Sequence, residues 1–273
     1  MKKVSVWVNE HSHDIPAGQR LGALRDEMQP GADVLIVNGA PGTPEIELRE
    51  GDRIVLIQRG EMPPKRELHS LMAARHTPGV HQVMQNAIVG VAGLGGLGSN
   101  VAIALARMGV GTLILADFDI VEPSNLNRQQ YFMEHLGGYK SVAMTDILKK
   151  INPYLTVVSH RVTLDPQNIP VIFQKAHVVI ECFDRVDQKA MLIETVSDAL
   201  PETFLIGASG LAGYGESNRI QTRQLSDRIY IVGDLVSAAE PGRGLMAPRV
   251  SIAAGHQANL AVSLLMNPKN VAL

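Results

Sequence analysis

Cysteine is almost absent from this chain: a single residue, Cys182, excludes an intramolecular disulfide framework and any zinc site built on CxxC pairs. Long apolar runs are missing too. The longest, such as Ala87-Ile88-Val89-Gly90-Val91-Ala92, fall far short of a bilayer's thickness, so no membrane span is expected. Met1-Lys2-Lys3 leads straight into an alternating strand pattern rather than the apolar core of a signal peptide. No run of Lys or Arg occurs, and a formal net charge of −2 disfavours a broad nucleic-acid surface. The nine histidines show neither HxxxH nor HExxH spacing, and there is no internal repeat. What remains is a chain of 273 residues, 45% hydrophobic and 19% charged, with the balance of a packed core. A soluble, cytoplasmic enzyme of one large domain or two unequal ones is expected.

Two textures follow one another. Residues 1–59 read as a small strand-rich module. Val4 to Val8 alternates in side-chain direction, a short strand follows near His13-Asp14-Ile15, and Leu21, Leu24 and Met28 share one face of a short helix that Pro30-Gly31 ends. Val34 to Val37 forms an apolar strand, Asn38-Gly39 supplies φ > 0 turn chemistry, and Gly51-Asp52 precedes a last strand, Arg53 to Gln58. That order suits a β-grasp domain. Residues 60–80 read as a polar linker with Pro63-Pro64, leading into the first helix of the next domain.

Over residues 81–273, apolar strands alternate with helical stretches, which predicts an α/β domain with a Rossmann-like, mainly parallel sheet. The strand candidates are Ile88–Ala92, Thr112–Ala116, Thr156–Ser159, His177–Glu181 and Phe204–Ala208. Asn218–Arg223 and Arg228–Val232 read as an antiparallel extension, and a closing helix runs from about Pro248 to Met266. Between the first of these strands and a helix carrying Val101, Leu105 and Met108 on its inner side lies Gly93-Leu94-Gly95-Gly96-Leu97-Gly98. Its GxGxxG pattern stands in the strand–turn–helix context of a nucleotide loop, where residues without Cβ let backbone N–H groups approach phosphate. Gly93, Gly95, Gly96 and Gly98 are the candidate cradle. Asp117, closing the next strand, is placed to accept from ribose hydroxyls. The loop does not choose between ATP and NAD.

The residues that follow carry a specific resemblance. Asp117-Phe118-Asp119, Asn125-Leu126-Asn127-Arg128-Gln129, Gly138-Tyr139-Lys140, Ile151-Asn152-Pro153, Glu181-Cys182-Phe183-Asp184 and Gly244 to Arg249 resemble, in order, the ThiF/MoeB family, bacterial relatives of ubiquitin-activating enzymes. The match is to ThiF proteins lacking the zinc cysteines. Val8-Asn9-Glu10, Val37-Asn38-Gly39 and Leu48 to Ile54 resemble the ThiS/MoaD class of ubiquitin-like sulfur carriers. The family resemblance implies Mg²⁺-dependent adenylation by ATP of the C-terminal glycine carboxylate of a ThiS-like carrier ending in Gly-Gly, in thiamine thiazole synthesis, by a homodimer. It implies that Arg128 and Lys140 spread charge over the triphosphate, Asp184 binds Mg²⁺, Asp117 holds the ribose, and Asn125 and Asp119 line the phosphate site. It also implies an arginine from near the N-terminal helix reaching the triphosphate, with Arg75 the candidate and Arg66 an alternative.

Structural readings stand beside these. Arg128 also suits a pair with Asp117 or Asp119, Lys140 the cover of a helix end, and Asp119 a loop cap. Cys182, at the end of an apolar strand, reads as a packed thiol, so reaction is expected to stop at the adenylate, with sulfur delivered by another protein. Tyr214 and Arg219 suit either a groove for the carrier tail or a loop, and Gly242-Arg243-Gly244 either a mobile crossover or a linker. The fused module ends in Arg59-Gly60-Glu61 and runs on, so it has no free carboxylate to activate. Alternatives are adenylation of a small-molecule carboxylate or tRNA base, a regulatory binding module whose β-grasp domain occupies the carrier groove, and an NAD-dependent oxidoreductase.

Overall fold

The computed structural model describes residues 2–9, 11–60 and 78–267. The chain divides into two compact units, Met1–Gln82 and Val83–Leu273.

The first unit is a five-stranded sheet in the order β2-β1-β5-β3-β4, with one helix, α1 (Leu21–Met28). Its strands are β1 (Lys3–Val8), β2 (His11–Pro16), β3 (Val34–Val37), β4 (Ala40–Pro41) and β5 (Arg53–Ile57). The outer hairpins are antiparallel while β1 and β5 pair in parallel, which is the β-grasp arrangement. Val6, Val8, Leu21, Leu24, Leu48, Ile54 and Leu56 form its core. Met28, expected on the inner face of α1, is instead exposed beside the helix end. The two-residue β4 escapes any periodicity argument; Asn38 and Gly39, both at positive φ, fold it back on β3.

The second unit is built on a seven-stranded sheet in the order β11-β12-β10-β9-β6-β7-β8, parallel except for β11. Its strands are β6 (Ile88–Ala92), β7 (Thr112–Ala116), β8 (Thr156–His160), β9 (Val178–Glu181), β10 (Phe204–Ala208), β11 (Gln221–Gln224) and β12 (Ile229–Gly233). Helix α2 (Pro78–Asn86) spans the unit boundary. Helices α3 (Gly96–Arg107), α4 (Lys140–Ile151), α5 (Ile169–Phe173), α6 (Val186–Ala199) and α7 (Ala247–Met266) complete the unit. Strand order turns back at β6, with β7 on one side and β9 on the other. In open α/β sheets the crevice beyond such a switch point is where ligands bind.

Two boundaries differ from the sequence reading. Helix α3 starts at Gly96, so Gly98 lies inside its first turn rather than before it. The antiparallel edge strand starts at Gln221, because Ser217–Arg219 is a 3₁₀ turn closed by Ile220 N–H to the Ser217 carbonyl. Among the described residues no helix is long and apolar enough to cross a membrane.

Candidate nucleotide-binding site

A cleft of about 1000 Å³ opens over the C-terminal ends of β6, β7, β9, β10 and β12. Of the residues singled out from sequence, Gly93, Gly95, Gly96, Asp117, Asp119, Asn125, Arg128, Lys140 and Asp184 all line it. The structure therefore brings together segments scattered from the glycine loop to the end of β9. Arg75 and Arg66 lie outside the described residues.

The floor is set by two glycines. Gly93 has φ +92°, donates its N–H to the Ala116 carbonyl at 2.9 Å, and lies so close to β9 that a Cβ would meet the Cys182 carbonyl at 3.1 Å. Gly98 does not line the cleft. A Cβ there would fall 1.9 Å from the Gly93 carbonyl oxygen, so this glycine lets α3 seat on the loop. The first N–H groups of α3 then face the cleft without intrahelical acceptors, a ready site for anions.

Asp117 braces this floor. Its Oδ2 accepts the Leu94 N–H at 2.6 Å and its Oδ1 the Asp119 N–H at 2.7 Å. Burial nevertheless raises its pKa, against the lowering effect of those two bonds and of Lys140. Tyr131 donates its hydroxyl to the Leu94 carbonyl at 2.8 Å, fixing the next peptide group of the same loop.

The two cations are held differently. Lys140 is only 7% exposed and its Nζ donates to Asp119 Oδ2 at 2.6 Å. It lies at the first position of α4, buried, and does not cover a helix end at the surface. Arg128 forms no ion pair with Asp117 or Asp119. Its guanidinium donates to the Ser124 carbonyl at 3.1 Å and Asn127 Oδ1 at 2.8 Å, both neutral, so among the described residues it has no ion-pair partner. Asn125 is buried in its own turn, where its Oδ1 accepts the Glu122 N–H at 3.1 Å. Its Nδ2 donates to the Ser124 hydroxyl at 3.4 Å.

Asp184 follows β9, is exposed, and makes no hydrogen bond or ion pair among the described residues. Among those residues no group of three carboxylates, histidines or cysteines could hold a metal alone. A lone free carboxylate fits a Mg²⁺ shared with substrate phosphates and water, the usual manner of magnesium binding. Cys182 is buried, and burial together with the Glu181 carboxylate pushes its thiol pKa up, the reverse of a reactive cysteine.

Three features were not foreseen. Glu181, buried at the end of β9, is paired with Lys189, whose Nζ reaches Glu181 Oε1 at 2.9 Å, Oε2 at 3.0 Å and the Ala208 carbonyl at 3.0 Å, tying β9, β10 and α6. Buried Gln129 lines the cleft with its Oε1 unpartnered among the described residues. Asp234 and Arg249 form a second buried pair. Gln129, Glu181 and Arg249 stand in stretches that carry the family resemblance, but their pairings are not legible there, because each acquires its meaning from residues distant in sequence. Tyr214 and Arg219 do not line the cleft, and the 242–244 segment is tied down by Gly213 N–H to the Gly244 carbonyl at 2.9 Å.

The ThiF family model matches residues 69–273, the part of the chain that forms this cleft. The chain belongs to the ThiF family. The ThiS-like ubiquitin model matches residues 4–60, the β-grasp unit. Adenylyltransferase and sulfurtransferase uba4 of Aspergillus terreus is 37% identical to this ThiF-family chain over 134 residues, 49% of this chain and 27% of the relative. Adenylyltransferase and sulfurtransferase MOCS3 of Xenopus laevis is 37% identical over 134 residues, 49% and 29% respectively. The chain thus spans under a third of the length of these curated relatives. Among solved structures, E. coli tRNA N6-threonylcarbamoyladenosine dehydratase TcdA in complex with ATP superposes with a TM-score of 0.68 at 24% identity, covering 74% of this chain and 95% of that one. E. coli MccB with MccA gives 0.55 at 21% identity, covering 74% and 62%. At these identities the likeness is one of fold.

Proposed function

We propose that this ThiF-family chain is an ATP-dependent adenylyltransferase that activates the C-terminal glycine carboxylate of a ubiquitin-like sulfur carrier. We take the carrier to be ThiS-like, serving thiamine thiazole synthesis, and the enzyme to be a cytoplasmic homodimer. The domain limits that go with this reading are a β-grasp domain at 1–59, a linker at 60–80 and an adenylation domain at 81–273.

The observation that carries the reading is the cleft's division into two halves. One half, from the glycine loop to Asp184, has backbone donors, Arg128, Lys140 and a free carboxylate. The other, Ala208 to Ala212 and Leu235 to Ala239, contains no charged side chain of its own, although Arg185 and Lys189, the latter bonded to the Ala208 carbonyl, also line the cleft. The first suits a nucleoside triphosphate. The second suits a slim, uncharged peptide tail. The relatives named adenylyltransferases support the same chemistry.

In the proposed reaction an oxygen of the carrier's terminal carboxylate attacks the α-phosphorus of ATP. That O–P bond forms as the bond to the bridging oxygen breaks, leaving acyl adenylate and pyrophosphate; no proton need move. The N–H groups at the start of α3 and the Arg128 guanidinium stabilise charge on the phosphates. Lys140 shares its charge with Asp119 and keeps two N–H donors for the triphosphate. Asp117 receives the ribose while bracing the loop. Bound through Asp184, Mg²⁺ would neutralise phosphate charge and orient the leaving group. Arg75 is proposed to reach the triphosphate as well.

ATP–pyrophosphate exchange tests this directly. Exchange should require Mg²⁺ and a carrier ending in Gly-Gly, and Asp184→Ala or Arg128→Ala should lower it at least about 100-fold, the scale of losing one transition-state contact. Unchanged exchange in both variants would refute the mechanism, and equal exchange without any carrier would refute the substrate.

A further inference from the structure

The uncharged half of the cleft is made of two segments that follow β10 and β12, and one buried ion pair joins them. Asp234 Oδ1 accepts the N–H groups of Val236 at 2.9 Å and Ser237 at 2.7 Å, while Oδ2 accepts the Ser237 hydroxyl and Arg249 Nη2 at 2.7 Å. Arg249, in the first turn of α7, donates through Nη1 to the Gly215 and Glu216 carbonyls. The guanidinium therefore links three pieces: the segment after β12, the segment after β10, and the closing helix.

Backbone contacts run alongside. Asp234 N–H donates to the Gly210 carbonyl at 3.1 Å, Leu235 N–H to that of Ser209 at 3.2 Å, and Ala212 N–H to that of Ser237 at 3.3 Å. The approach is tight enough that a Cβ on Gly210 would lie 2.2 Å from Asp234 Oδ1. Two residues without the conformational licence of glycine or asparagine have positive φ among the described residues, Glu216 at +25° and Leu235 at +64°. One is itself an Arg249 acceptor and the other adjoins Asp234. Such conformations persist only where surroundings over-determine them.

We propose that Asp234 and Arg249 act as a positioning clamp that fixes the uncharged wall of the cleft in the shape that receives the carrier's tail. The identity of what the wall receives rests on the adenylation reading; the clamping itself does not. Neither side chain lines the cleft. They act through Leu235 to Ala239 and Ser209 to Ala212, and among the described residues neither makes a hydrogen bond to the glycine loop.

The test uses the full chain and a bacterial ThiS protein with a free C-terminal Gly-Gly. Asp234→Asn with Arg249→Met removes both charges together, so no uncompensated ion stays buried and the fold survives. Expected is a rise of about tenfold or more in KM for the carrier, with KM for ATP and kcat within about threefold of wild type. Arg249→Lys, keeping the charge without the fork, should fall between. Amide exchange should quicken in 209–216 and 234–239 and stay unchanged in the glycine loop. If KM for the carrier is unaltered, or if KM for ATP rises equally, the positioning role is overturned. Should the wild type show no carrier-dependent exchange, the adenylation reading fails, and amide exchange alone decides whether the pair pins the wall.

Discussion

Lys140 and Arg128 carry the same charge but are restrained in opposite ways, and this bears on what each can do. Lys140 is buried and paired, so its place is fixed and its charge partly spent on Asp119. Arg128 is aimed by neutral acceptors and keeps its full charge for a ligand. The identity of both residues was legible from the NLNRQ and GGYK stretches, but their partners were not. Asp119 belongs to Lys140 through a fold that brings β7 and α4 together. Asp234 shows what sequence hides altogether. Burial works to raise its pKa, yet hydrogen bonds from Ser237, Val236 and Arg249 hold it well below the usual carboxylate range. A depressed carboxylate contributes stability that is fully present above the unfolded value and lost as pH falls through the folded one. Lowering the pH from 5 to roughly 3 should therefore cost wild type more thermal stability than it costs Asp234→Asn, measured as midpoints by circular dichroism. Parallel curves for the two proteins would contradict the assignment.

Among the elements, the parallel strands were read to within a residue or two, because buried β-rich runs bounded by turn residues announce themselves. The misreadings fell where local sequence does not decide. Asn218 and Arg219 sit in a 3₁₀ turn although their neighbours form a strand, and β4 exists only because β3 offers it an edge. The glycine loop gives the sharpest element-scale prediction. Gly98→Ala would drive a Cβ to 1.9 Å from the Gly93 carbonyl oxygen, backbone against helix. It should destabilise the second unit by about 3 kcal/mol or more, beyond ordinary overpacking. At Gly95 the nearest atom to an added Cβ is Gln129 Nε2 at 3.9 Å, so Gly95→Ala should fold normally and lose only ATP affinity, as added bulk meets phosphate. Denaturant unfolding and ATP titration of the two variants separate these effects. Equal stability for both would refute the division of roles between the glycines.

At the scale of the molecule, two units of unlike chemistry share one chain. The ThiS-like unit has a carrier's fold but continues past Gly60. The ThiF unit has the cleft, and all its described residues lie after Val83. On the proposed reading the fused unit, whose chain runs on past Gly60, is not the substrate of its own chain, and the carrier is a separate protein with a free end. Mass spectrometry of such a carrier, after incubation with the chain, ATP and Mg²⁺, tests this claim most directly. Intact Gly-Gly carrier should gain the mass of one adenylyl group, AMP less one water, and carrier lacking its last glycine should gain none. An unmodified carrier, or an adduct on both forms, would contradict the account.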